Sequence, residues 1–134
     1  MVKLIDVYPD RYPDEKGEIN NKMGGYQQMV RGDSIRGKFR NSLEKPEPFT
    51  PNKPAAVNFT TSDIYHTFQR GHRIMIQIQS SWFPISDINP QRFEDINKAA
   101  AADFQKASER IYHTVDMPSQ VKIGLLPSGP AVVR

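Results

Sequence analysis

The sequence predicts an all-β protein, an antiparallel sandwich. Three observations carry that expectation. Apolar runs are short and either β-branched or alternating, as in VKLIDVY at 2–8 and RIMIQIQ at 73–79. Eleven prolines and eight glycines in 134 residues break the chain into turns and loops. No helical segment recurs between the strands, and a parallel α/β sheet needs such crossovers.

The elements follow in order. Residues 2–8 are apolar on both alternations, so this strand is expected in the interior of a sheet. It stops at Pro9-Asp10. Residues 9–23 are polar, with Pro9, Pro13 and Gly17, and read as a long loop. GGYQQMVRG at 24–32 reads as a second strand. DSIRGKFRNS admits one helical turn or an irregular connection, and Gly37 argues against a stable helix. EKPEPFTPNKP at 44–54 holds four prolines, which excludes an interior strand and suggests a surface crossing within one domain. AAVNFTT follows, with Val57 and Phe59 on one face.

RGHRIMIQIQSSWFP at 70–84 is the most patterned stretch. Ile74, Ile76 and Ile78 fall on one face and Met75, Gln77 and Gln79 on the other, the period of a half-buried antiparallel strand. The isoleucines are expected in the core and the Met/Gln face outward. Residues 84–97 look irregular. KAAAADFQKASERIYHT at 98–114 has helical propensity, while its second half also reads as a strand. QVKIGLL at 120–126 is expected to be the last strand, and PSGPAVVR a loose tail.

Composition excludes several function classes. A net charge of +3 comes from scattered residues, with no basic block interleaved with aromatics, so no nucleic-acid partner is expected. The chain has no cysteine, which removes disulfides, thiolate catalysis and Cys-type metal centres. No apolar run reaches the roughly 18 residues of a membrane span, and no leader pattern follows Met1. The mean hydropathy of −0.62 leaves little apolar material beyond one modest core.

Gly32-Asp33-Ser34-Ile35 is similar to the nucleophile block of one esterase class. A serine hydrolase also needs a base and an orienting carboxylate, and that class places them as Asp-x-x-His. Here the order is reversed, His113-Thr-Val-Asp116, and no helix clearly follows Ser34. Ser34 is therefore read as part of a polar turn. Arg31-Gly32-Asp33 matches the integrin tripeptide only at the level of chance. His66 and His72 are six apart, wrong for one helical face, and lack the Glu of a zinc helix. They are read as hydrogen-bonded histidines that stabilise the turn at Gly71. Asp87, Asp95, Asp103 and Glu109 show no paired-carboxylate spacing. Trp82 and Phe83 end a strand beside Pro84, where an aromatic pair can cap a core or face a partner. The residues alone leave both open.

Four blocks taken together resemble a known family. They are KLIDVYPD at 3–10, MVRGDSIRGKFRNS with EKPEPF, IYHTFQRGHRIMIQIQSSWFPISDINPQ at 64–91, and ERIYHTVDMPSQVKIGLLP at 109–127. Their order and spacing resemble the C-terminal β-sandwich of the X-prolyl dipeptidyl-peptidase and cocaine-esterase type of serine hydrolases. That group includes α-amino-acid ester hydrolases and glutaryl-cephalosporin acylases. His-x-Phe-x-x-Gly-His-Arg at 66–73 is the most specific part. The resemblance implies a jelly-roll-like domain over 1–127, lacking its leading strands, with 128–134 as tail. It implies a strand over 104–113, and structural roles for His66 and His72. It also implies that the catalytic serine, aspartate and histidine lie in an α/β-hydrolase domain outside this chain.

The expected function is thus a non-catalytic sandwich that buttresses that domain and shapes its substrate entrance, without cofactor or metal. Trp82 and Phe83 are the candidates for the entrance or partner face. Exposed strand edges are expected to permit a homodimer. The alternative is a stand-alone carbohydrate- or protein-binding jelly roll. Such a module should show a planar row of exposed aromatics, and this chain has one Trp and five scattered Tyr.

Overall fold

A computed structural model describes residues 1–17 and 21–126. Residues 18–20 of the first long loop, and the tail 128–134 expected to be loose, lie outside the described residues. The regular structure is a three-stranded antiparallel sheet: β1 Val2–Val7, β2 Gln27–Asp33 and β3 Arg73–Ile78. The strand order is β2-β1-β3, so β1, the run expected to be interior, is central. The helical content among the described residues is three single 3-10 turns, Gly37–Phe39, Ile96–Lys98 and Ala101–Asp103. The protein is therefore strand-dominated, as the all-β expectation requires, and one sheet of the expected sandwich is formed.

The register explains which side chains meet. β1 and β3 pair without interruption from Val2↔Ile78 to Val7↔Arg73. β1 and β2 shift by one residue between Leu4 and Ile5: Leu4 faces Arg31 while Ile5 faces Met29, which leaves Val30 as the extra residue of a bulge. Side chains alternate between faces. The first face gathers Leu4, Asp6, Ile74, Ile76 and Ile78. The second gathers Ile5, Val7, Met75, Gln77 and Met29. Ile5 and Val7 are buried, and they are the hydrophobic core residues of the described chain.

The isoleucine face is where the sequence reading needs correction. Ile74 and Ile78 are 53% and 47% exposed, while Met75 and Gln77 are half-buried. The reason lies in what covers each face. The chain at 62–66 crosses the first face, anchored where Ser62 N–H donates to Asp33 Oδ2 at 3.2 Å and where His66 meets Asp6 at 2.9 Å. Both anchors lie over β1 and β2, so the β3 column of that face stays open.

Two glycines serve the sheet. Gly71 takes a φ of +90° in the turn entering β3, closed by His72 N–H donating to Gln69 O at 3.0 Å. Gly32 lets an aromatic ring approach: a Cβ there would lie 2.7 Å from Trp82 Cη2.

The proline-rich crossing is exposed, as expected, yet it is tied down. The Arg40 guanidinium donates to the carbonyls of Gly37, Glu47 and Pro48 at 3.1, 2.9 and 3.0 Å. It also sits 4.3 Å from the centre of the Phe49 ring. Residues around Val57 and Phe59 form no strand.

The strands expected over 104–113 and 120–126 are not formed; neither segment pairs with a strand among the described residues. A strand needs a neighbouring row of N–H and C=O groups, and these segments find none. Their apolar residues stay in solvent, including Ile111, Val121, Ile123 and Leu125. The alanine run gives only the 3-10 turn at Ala101–Asp103, closed by Ala100 N–H donating to Asp103 Oδ2 at 2.8 Å. No helix among the described residues is long and apolar enough to cross a membrane.

Candidate functional site: the Trp82–Phe83 turn and the Asp6 cluster

Beyond β3, Gln79 N–H donates to Met1 O at 2.9 Å and the chain turns over the second face of the sheet. Trp82 follows. Its ring packs on Gly32 of β2, and the Lys3 ammonium of β1 lies 5.1 Å from the ring centre. Ser86 N–H donates to Trp82 O at 2.8 Å, and the Phe83–Pro84 peptide bond is cis. Trp82 thus rests half-buried on the sheet, while Phe83 points away and is 67% exposed. Phe83 forms one wall of an open groove of about 330 Å³, with Asp87, Ile88, Ile96, Asn97 and Phe104. The lining of the groove is mixed, with Asp87 and Asn97 beside the apolar Phe83, Ile88, Ile96 and Phe104. Asp95 stands beside it and accepts from Asn97 N–H at 3.1 Å, which holds its carboxyl below the ordinary carboxylate range.

The second constellation is buried. Asp6, near the C-terminal end of β1, is 2% exposed. Its Oδ2 lies 2.9 Å from His66 Nε2 and its Oδ1 2.8 Å from His72 Nδ1. A carboxylate only accepts, so each ring donates: His66 carries its proton on Nε2 and His72 on Nδ1. His72 immediately precedes β3, and its ring lies tilted 4.4 Å from that of Tyr8, one step beyond the Val7–Arg73 pair. Tyr12 packs edge-on beside both, 5.5 Å from the His72 ring and 4.7 Å from the Tyr8 ring. His72 Nε2 is buried and finds no partner among the described residues. Desolvation, with Tyr12 and Asp6 adding to it, pushes the Tyr8 phenol above its ordinary range. Tyr8 donates its hydroxyl to Gln28 of β2 at 2.8 Å.

This arrangement ties two segments, the crossing that carries His66 and the turn before β3 that carries His72, to one carboxylate of β1. It brings the two predicted histidines together and adds Asp6, which the sequence reading passed over. The signal was there: one carboxylate inside an apolar interior strand must find donors. The reading of His66 and His72 as hydrogen-bonded groups holding the turn at Gly71 agrees with the geometry. Ser34 is not part of this cluster. It follows β2 at the end of the sheet where Asp33 pairs with Val2, four residues along β1 from Asp6, roughly 13 Å at the usual strand rise. His113 and Asp116 lie in the exposed segment beyond residue 104.

Residues 1–122 match a protein family described as the X-Pro dipeptidyl-peptidase C-terminal non-catalytic domain. The chain belongs to this family. It is 25% identical over 124 residues, 92% of its length, to cocaine esterase from Rhodococcus sp. (strain MB1 Bresler). It is also similar to the solved structure of an aminopeptidase from a marine sediment Thaumarchaeota archaeon. There the TM-score is 0.68 and the identity 44%, over 78% of this chain. The chain spans 19% and 16% of the lengths of these two relatives. Membership in a non-catalytic domain family supports a chain that is not itself a catalyst, and it leaves the carbohydrate-binding alternative without support.

Proposed function

We propose that this chain is the non-catalytic β-sandwich portion of a serine hydrolase acting on acyl or peptide bonds, spanning residues 1–127. It buttresses an α/β-hydrolase domain, and the Trp82–Phe83 turn faces that domain at its substrate entrance. Family membership carries the reading. The names of the relatives, an esterase and an aminopeptidase, agree with acyl or peptide bonds as the target class. Phe83 supports the placement of the contact, because a large aromatic left open beside the exposed Ile85 and Ile88 favours an apolar partner surface. Trp82 fixes its direction by anchoring the turn on Gly32.

The test is a chimera. This chain replaces the matching segment of the archaeal aminopeptidase, with which it shares 44% identity. The chimera is expected to keep peptidase activity. Phe83→Ala within it should lower thermal stability or raise KM, whereas Tyr65→Ala, at a surface residue far in sequence from that turn, should do neither. A chimera that folds and turns over substrate identically with and without Phe83 would remove Phe83 from the interface. A chimera in which this chain folds but leaves the enzyme inactive would count against the buttressing role.

A further inference from the structure

We draw no further inference here: the strongest candidate, the buried cluster in which Asp6 of β1 joins His66 and His72 beside the rings of Tyr8 and Tyr12, belongs to the site already described.

Discussion

Asp6 sets the energetics of the sheet centre. Removing it leaves two imidazole N–H groups aimed at an empty site, one of them on a His72 side chain only 3% exposed. Asp6→Ala is therefore expected to destabilise the fold by about 2–4 kcal/mol, read from urea unfolding. Asp6→Asn keeps the shape and one acceptor oxygen but turns an amide N–H towards the other ring, so it should cost clearly less than Asp6→Ala. His72→Ala should cost more than His66→Ala, since the His66 side chain is 21% exposed and retains access to water. An equal cost for the two histidines would contradict the burial argument. Tyr8 gives a pH prediction. Its phenol ionises above the ordinary range in the folded protein, because burial opposes the phenolate. A group whose folded pKa is raised contributes stability that is complete below its unfolded pKa and lost as pH rises through the folded one. Stability should thus fall in the alkaline range above about pH 10, the ordinary tyrosine value, and Tyr8→Phe should flatten that fall. Absorbance titration of the tyrosines alongside unfolding checks it.

At the scale of elements, the strands that formed were legible and the ones that did not were legible only as patterns. VKLIDVY, QQMVRG and RIMIQI announce themselves by β-branching and alternation, and all three lie in the sheet. QVKIGLL has as good a pattern and no partner row, and a pattern alone cannot supply one. The isoleucine face failed for a related reason. Alternation says that two faces differ; which face is covered depends on where residues 62–66 cross. Arg40 was invisible to periodicity altogether, since its partners are backbone carbonyls seven and eight residues away. It fastens the proline-rich crossing to the 3-10 turn before it. Arg40→Ala should cost about 1.5–3 kcal/mol, the value of charge-assisted bonds lost from a largely buried side chain. Limited proteolysis should then cut near residues 44–54 first. Gly32→Val belongs at this scale too. Its side chain would displace the Trp82 ring from β2, and a red shift and loss of intensity in tryptophan fluorescence would report it.

For the molecule as a whole, the described chain holds two buried core hydrophobics and many exposed ones, Phe83, Ile85, Val115 and Leu125 among them. That balance suits a part that leans on another surface more than a freestanding catalyst. The sequence showed as much through what could not be assembled around Ser34: its base and acid stood in the wrong order. The structure adds distance, because the carboxylate–histidine cluster found among the described residues lies towards the other end of β1 from that serine. The sequence blocks that resembled a hydrolase sandwich span the region that the family match covers, residues 1–122. What they could not convey was the Asp6 link, because it joins residues 60 and 66 positions apart.

The measurement closest to the central claim is turnover by the purified chain itself. An activated aryl ester and an X-Pro anilide are offered at high protein concentration, with Ser34→Ala run in parallel. The account predicts no hydrolysis above buffer for either protein. Turnover by the native chain that disappears in Ser34→Ala would contradict it, and would make this chain an enzyme in its own right.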